Sequence, residues 1–178
     1  METDLRIEAI QPSHASAVQQ LAVHPQIGAT TNLPEPYPEG GALQWIRYLL
    51  PKRAAGREQA FAVIHEAEGL VGVCSLIDIS RISGSAELGY WIGPPFWGRG
   101  YATQACRLVV EFGFDTLALR RLIARPLARN AASIRVLEKL QFRTLGNQPN
   151  PFPKFARSDL LSVYEMTRRR WYDQASSE

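Results

Sequence analysis

Alternating apolar and polar positions predict seven short strands along the chain. The predicted strands cover residues 5–10, 61–64, 70–77, 86–92, 121–125, 142–145 and 160–167. Glu68 and Gly69 lie between the second and third strands, so these two strands are expected to form a hairpin.

Apolar residues three and four positions apart predict helices over about 13–23, 43–50, 103–119 and 131–140. Ser13 and Asn130 are the expected N-caps of the first and last of these helices. Pro51 is expected to end the second helix. The proline-rich stretch 25–41 predicts a loop.

Strands that first pair locally and then alternate with helices predict an α/β (α+β) fold with a mixed sheet. No linker or change of composition divides the chain, so one domain is expected over residues 1–178. A chain of this length is long enough to bury a core of its own.

Composition and charge exclude several classes of protein. The formal net charge of +3 is too small and diffuse to indicate direct nucleic-acid binding. The charged start of the chain has no apolar signal core, and no apolar run has the length of a membrane span. Cys74 and Cys106 lie far apart in sequence and form no metal-ligand cluster. We therefore expect a cytoplasmic protein with buried thiols and without a metal or membrane partner.

The segment 90–105 carries the most chemical information. It reads as a strand, a proline-rich turn, a glycine-rich loop and the start of a helix. The N–H groups of a helix's first turn have no partners within the helix, and they lie at the positive end of its dipole. Gly98 and Gly100 allow the backbone to approach a ligand closely. The segment therefore favours a phosphate-bearing ligand, although an ordinary tight loop would read the same way.

A second segment, residues 129–142, indicates which phosphate-bearing ligand and which family to expect. Asn130, Ser133, Lys139 and Phe142 follow the pattern Asn-x-x-Ser-x-x-x-x-x-Lys-x-Gly-Phe, with Gln141 in place of the glycine. Together with residues 86–93 and the loop 97–102, this segment resembles the GNAT (GCN5-related) N-acetyltransferase superfamily, in its RimJ/RimL-like branch. The family's acetyl-CoA loop, [Gln/Arg]-x-x-Gly-x-[Gly/Ala], falls on residues 97–102.

The resemblance implies a single GNAT-like domain with a twisted, mostly antiparallel sheet and helices on both faces. It implies that an acetyl group moves from acetyl-CoA to a primary amine, either a protein N-terminus or a small molecule, and it allows a homodimer. The pyrophosphate of acetyl-CoA would lie against Trp97, Gly98, Arg99, Gly100, Tyr101, Ala102 and Thr103. Trp97 replaces the family's usual Gln or Arg. The pantetheine arm would pair with the edge of the strand at Tyr90, Trp91 and Ile92, where the Ile92 N–H is the candidate donor to the thioester carbonyl.

Glu87 is the candidate base. Strand alternation puts Glu87, Gly89 and Trp91 on one face, and a carboxylate on a central strand is costly to bury unless it is paired or solvated. The family often keeps a carboxylate here that takes the amine proton. The alternative is a structural ion pair with an arginine.

Ser133 is the candidate acid beside the sulfur, by resemblance to the RimL-like branch. Leu137 occupies the position where many GNAT enzymes have a catalytic tyrosine. The alternative for Ser133 is a first-turn helix residue without a chemical role. Asn130 would hold the pantetheine amide, cap the helix, or do both. Arg135 and Lys139 either reach the 3′-phosphate of CoA or belong to a solvated helix face.

Two other functions remain open from the sequence: an acyl-CoA-binding module without catalysis, and a nucleotide-binding domain. The acceptor site should be bordered by residues 27–57 and 147–159. These segments carry carboxylates and aromatic rings, which suit a cationic amine: Glu35, Tyr37, Glu39, Trp45, Tyr48, Phe152 and Phe155.

Overall fold

The computed structural model describes residues 4–175, which form a seven-stranded sheet with helices packed on it. The strands are β1 (Leu5–Ala9), β2 (Gln59–His65), β3 (Gly69–Ser80), β4 (Ser85–Ile92), β5 (Arg121–Ala124), β6 (Arg143–Pro149) and β7 (Leu160–Thr167). The helices are α1 (Ala15–Ala22), α2 (Pro25–Gly28), α3 (Gly41–Ala54), α4 (Tyr101–Glu111), α5 (Ala131–Lys139) and α6 (Arg168–Ala175). Residues 1–3 and 176–178 of the expected domain lie outside this description.

The strand order is β1-β2-β3-β4-β5-β7-β6. β4 and β5 run parallel, and the other neighbouring strands run antiparallel. The predicted α/β architecture with a mixed, mostly antiparallel sheet is therefore confirmed. The parallel pair lies near the middle of the sheet, where the chain must cross over through α4.

Two hydrophobic cores lie on opposite faces of the sheet. One packs alternate residues of β4, such as Leu88 and Ile92, against α4 and α5. The other packs β2 and β3 against α1 and α3, and Trp91 joins it from β4. Helices therefore cover both faces, and the two faces of β4 look into different halves of the molecule.

Several helical segments differ from the prediction. Ser13 does not cap α1, because it lies inside a short 3₁₀ turn (Pro12–His14) and α1 begins after His14. Helix α3 continues through Pro51 to Ala54, because tertiary bonds hold its last turn: Arg53 donates to the Ile10 carbonyl and Lys52 to Glu58. The short α2 lies inside the predicted loop and buries Ile27. Helix α6 was not predicted, since its sequence is mostly polar and charged; the ring of Trp171 is buried near Phe114.

The end of α5 is strained at Gln141, which stands where the family's pattern has glycine. Its φ is +61°, a left-handed conformation that a side chain makes unfavourable by about 1–2 kcal/mol. Arg170 donates to the Gln141 carbonyl at 2.9 Å and so ties this turn to α6.

Within residues 4–175, no helix has the length and apolar character needed to cross a bilayer. The same residues bring no three potential His, Cys, Asp or Glu metal ligands together.

Candidate functional site

An opening separates β4 from β5 at the centre of the sheet. The two strands pair from Ser85 and Arg121 as far as Glu87 and Ile123, and then the pairing stops. β4 continues to Ile92, so its last five residues present one edge that β5 does not cover. Such an edge offers backbone groups to an extended ligand.

The hydrogen-bonding alternation identifies the backbone groups that face this opening. The Gly93 N–H donates to the Val71 carbonyl at 2.8 Å, so Gly93 and Val71 form a hydrogen-bonded antiparallel pair. The register is regular from Gly72 and Ile92 back to Ile77 and Glu87. The polar backbone groups of Ile92 and Tyr90 must therefore point away from β3, into the opening.

Trp97 forms a hydrogen bond with one of these backbone groups. Its indole N–H donates to the Ile92 carbonyl at 2.5 Å, while its ring remains 48% exposed. The carbonyl of Ile92 is thus already satisfied, whereas the Ile92 N–H has no partner among the described residues. The sequence placed Trp97 against the pyrophosphate, but its backbone N–H donates to the Pro94 carbonyl at 3.2 Å. The contact of its indole with β4 fixes the start of the loop.

The loop after β4 leads into the amino terminus of α4. Gly98 and Gly100 have φ values of +77° and +80°, and no atom lies close to where their Cβ atoms would be. The first hydrogen bond of the helix runs from the Gln104 N–H to the Gly100 carbonyl. Among residues 4–175, the N–H groups of Tyr101, Ala102 and Thr103 find no acceptor. The loop therefore offers free donors at the positive end of α4, as an anion site requires.

Arg99 is engaged outside the loop. Its guanidinium pairs with Glu68 at 2.7 Å, at the turn between β2 and β3, and lies near the Phe96 ring. The hydrogen bond to Glu68 raises the pKa of Arg99 further. The side chain ties the loop to the neighbouring hairpin.

Glu87 lies where the opening begins and pairs with Arg125, just beyond β5. Burial raises the pKa of Glu87, the Arg125 guanidinium lowers it in part, and the net effect is a raised pKa. The ion pair foreseen as the alternative is present, but the carboxylate is only partly buried and faces the α1 and α3 side with Trp91. Gly89 lies between them on this face, where a Cβ would come within 3.1 Å of Ile77 Cδ1.

Ser133 and Tyr90 meet on the other face of β4. The Tyr90 hydroxyl lies 2.7 Å from Ser133 Oγ and donates to the Ser133 carbonyl at 3.0 Å. Asn130 caps α5, since its Oδ1 accepts the Ser133 N–H at 3.1 Å, as predicted. The Asn130 amide NH₂ has no partner within residues 4–175, so it remains available to a ligand. The hydroxyl contact of Tyr90 was not predicted, because β4 alternation shows a side chain's face but not what it meets there.

The remaining candidate residues are arranged as follows. Arg135 and Lys139 are exposed on α5, and the described chain gives neither side chain a hydrogen bond or ion pair. Leu137 is fully buried in the core. Cys74 and Cys106 are free and buried, as expected. A shallow depression of about 480 Å³ lies instead at the opposite end of the sheet, lined by Gln141, Thr167, Arg169, Arg170, Asp173 and Gln174.

Two cations bind the predicted acceptor segments to each other. Lys154 donates to the carbonyls of Gly28 and Thr31 at 2.7 and 3.0 Å, and also to that of Leu33. Arg129 pairs with Asp159 and donates to the Ala29 carbonyl. We call this set of contacts the loop clasp. It holds the β6–β7 loop against the residues that follow α2.

The aromatic residues of the acceptor segments fall into three groups. Tyr37 and Trp45 pack against the same core as Trp91. Phe155 lies near both clasp cations, 5.9 Å from Arg129 and 5.1 Å from Lys154, and contacts Phe152 edge to face. Tyr48 is 62% exposed and stacks with Lys52 instead.

Residues 4–143 match the family model described as an acetyltransferase (GNAT) domain. The chain belongs to the GNAT acetyltransferase family. The matched segment contains the opening between β4 and β5, the free donors of α4 and the whole of α5. The GNAT resemblance drawn from the sequence is thereby confirmed.

Two relatives and one solved structure show where the chain lies in the GNAT family. It is 31% identical over 119 residues, or 66% of the chain, to the uncharacterized N-acetyltransferase p20 of Bacillus licheniformis. It is 30% identical over 57% of its length to YdaF of Bacillus subtilis, which carries the name of a putative ribosomal N-acetyltransferase and supports the RimJ/RimL-like branch. The aligned segments span 60% and 56% of these relatives.

The solved structure is the spermidine N-acetyltransferase from Vibrio cholerae in complex with CoA and spermine. The TM-score is 0.84, with 96% of this chain and 99% of that chain covered. At 20% sequence identity this likeness shows the GNAT fold alone.

Proposed function

We propose that this protein is an acetyl-CoA-dependent N-acetyltransferase that modifies a primary amine by direct transfer, in a domain that extends over the whole chain in the cytoplasm. The observation that carries the proposal is the uncovered edge of β4, which ends in the free N–H groups of α4. The edge of β4 suits an extended pantetheine chain, and the N–H groups of α4, which follow it along the backbone, suit a pyrophosphate.

Each end of the opening has a group for one part of the ligand. The N–H groups of residues 98–103 hold the pyrophosphate, and the Asn130 amide holds the pantetheine. Arg135 lies on the exposed face of α5, where it reaches toward the 3′-phosphate. Tyr90, Trp91 and Ile92 form the strand edge, where Tyr90 and Ile92 supply the hydrogen bonds.

Acetyl-CoA supplies the acyl group already activated as a thioester. The Ile92 N–H donates to the carbonyl oxygen and stabilises the negative charge that develops there. Glu87 takes the proton of the attacking amine, directly or through a water molecule. The Ser133 hydroxyl faces the sulfur from the opposite side of β4. The base thus comes from one face of β4, and the hydroxyl donor comes from α5 on the opposite face.

The charges near the acceptor face favour an amine that carries few other cations. Asp159 is paired with Arg129, and Glu87 is paired with Arg125. Glu35 has Lys154 near enough to interact with it electrostatically. Since these carboxylates already have cationic neighbours, a polyamine with several charges gains little from them. We therefore expect a peptide N-terminus or a monoamine to be a better acceptor than spermine.

A panel of amines with acetyl-CoA, read by release of the CoA thiol, tests the proposal. The panel should contain short peptides with free and blocked N-termini, spermine, an amino sugar and a simple monoamine. Release above the hydrolysis background with a free N-terminus, and not with the blocked one, supports transfer to the amine. CoA binding without turnover of any amine would favour a non-catalytic acyl-CoA-binding module instead.

A further inference from the structure

Tyr90 carries a hydroxyl beside the opening for which the proposed mechanism has no role. Its oxygen lies 2.7 Å from Ser133 Oγ and 3.0 Å from the Ser133 carbonyl oxygen. Asn130 fixes the same serine through the Ser133 N–H. Ser133 is therefore held by two groups that come from different elements, β4 and the cap of α5.

The two hydroxyls have two ways to share their protons. If Tyr90 donates to the Ser133 carbonyl, the serine hydroxyl donates to the tyrosine oxygen. If Tyr90 donates to Ser133 Oγ, the serine proton is free to face a third group. The two arrangements differ only in the rotation of two O–H bonds, so an anion that forms near Ser133 can select the second.

We propose that Tyr90 is a positioning residue that holds the Ser133 hydroxyl and directs its proton to the sulfur of the leaving thiolate. The inference rests on the proposed function, because it needs a thioester in the opening. As the C–N bond forms, the C–S bond breaks and its electron pair stays on sulfur. Glu87 receives the amine proton, while the protons of Ser133 and Tyr90 remain on their own oxygens. Solvent later protonates the thiolate.

Burial supports this role for a neutral hydroxyl. It raises the pKa of Tyr90 well above the usual range of tyrosine, so the side chain stays protonated at any working pH. A tyrosinate would be a competing anion beside the sulfur, whereas a neutral hydroxyl can only accept or donate. A hydrogen bond from Tyr90 also polarises the serine O–H and makes it a better donor.

Free CoA is the probe for the experiment. The ultraviolet absorbance of the thiolate, followed against pH, measures the pKa of the bound CoA thiol without any acceptor. Tyr90→Phe is expected to leave about tenfold less thiolate at a given pH and to lower kcat about tenfold, the effect of one hydrogen bond to a charged group. Ser133→Ala should lose at least as much, and the double variant should lose no more than Ser133→Ala alone.

Tyr164→Phe is the matched control. Tyr164 is a buried tyrosine of the core against which the partly buried Tyr90 packs, and its hydroxyl has no hydrogen bond to the described residues. This variant should change neither the thiol pKa nor kcat. Melting temperatures and CoA affinities of all four variants separate a loss of packing from a loss of donation.

The outcomes are distinguishable. Failure of CoA to bind the wild-type protein would remove the proposed function and this inference with it. CoA binding and turnover with an unchanged thiol pKa in Tyr90→Phe would overturn the inference alone, and so would a fall in stability and CoA affinity without a change of that pKa. If Tyr90→Phe does not fold, an unchanged thiol pKa in Ser133→Ala would overturn the inference in the same way.

Discussion

Two opposing effects act on the pKa of Glu87, and their balance bears on whether the residue is a base. Partial burial raises its pKa, and the neighbouring Arg125 lowers it, with burial the larger effect. A general base is most effective when its pKa approaches the working pH, so a raised pKa favours the base over a purely structural ion pair.

Glu87→Gln keeps the shape of the side chain and removes the base. We expect kcat/KM for the amine to fall by about 10²–10⁴-fold, with CoA affinity nearly unchanged. The deficit should shrink at high pH, where more of the free amine is already neutral. Steady-state rates with a true acceptor across pH, together with calorimetric CoA binding, measure both parts. An unchanged rate, with chemistry limiting turnover, would leave Glu87 with a structural role only.

Arg125→Met tests the pairing from the other side. Because the folded-state pKa of Glu87 lies above its unfolded value, the folded protein holds this proton more tightly than the unfolded chain. The stability from the protonated carboxyl is therefore present at low pH and is lost as the pH rises through the raised pKa. Removing Arg125 raises the pKa of Glu87 further, so the free energy of unfolding should fall by more than in the wild type as the pH rises from the unfolded glutamate value of about 4.3 through the raised folded-state pKa.

The double variant Arg125→Met with Glu87→Gln is the control, because the Glu87 carboxyl is absent from it. Its free energy of unfolding should show no added dependence on pH. The acidic limb of kcat/KM should move to higher pH in Arg125→Met alone. Denaturant titrations at several pH values would contradict the pairing argument if the single and double variants behaved alike.

Among the elements, the loop and first turn of α4 depend on the backbone rather than on side chains. Gly100 is the N-cap of α4 in a left-handed conformation with open space beside it. Gly100→Val should therefore strain the loop and also place methyl groups in front of the free N–H donors. We expect a severe loss of CoA affinity by calorimetry, and a mild one in Arg99→Ala, whose charge is exposed and paired with Glu68.

Gly40→Val is the control that separates backbone strain from obstruction of the N–H donors. Gly40 is the N-cap of α3, has a φ of +68° and also has open space beside it. The variant should lose a similar amount of stability but keep its affinity for CoA. If Arg99→Ala binds CoA more weakly than Gly100→Val, then side chains rather than backbone N–H groups hold the anion.

On the acceptor side, the loop clasp holds two segments of the chain together. Lys154 joins the β6–β7 loop to three carbonyls at and after the end of α2, and Lys154→Met would leave them without their donor. We expect KM for the amine to rise severalfold with little change in CoA affinity, because none of the clasp contacts involves the loop or the first turn of α4. Arg157→Met is the control, since it removes the same charge from the same loop. Equal KM values for the two variants would exclude a specific role for the clasp.

At the scale of the whole molecule, local patterns predicted the strands, the mixed sheet and the loop that carries the free N–H donors. They failed where distant contacts decide the structure. Pro51 does not end α3, since Lys52 and Arg53 bind groups outside the helix, and α6 is held by contacts with residues distant in sequence, among them those of the buried Trp171 ring. In the same way, Glu87 was found from its strand but its partner Arg125 was not, because β4 and β5 meet only in the folded sheet.

The opening in the sheet predicts how the whole molecule responds to its ligand. A ligand that binds only the folded state adds RT ln(1 + [L]/Kd), about 2.7 kcal/mol at a hundredfold excess over Kd. For a chain of this size that corresponds to a rise in melting temperature of about 5–10 °C. Acetyl-CoA should produce this shift in the wild type and in Gly40→Val but not in Gly100→Val. NAD and ATP should produce much smaller shifts, since neither has an arm to extend along β4. A larger shift with NAD than with acetyl-CoA would show that the opening holds a different ligand.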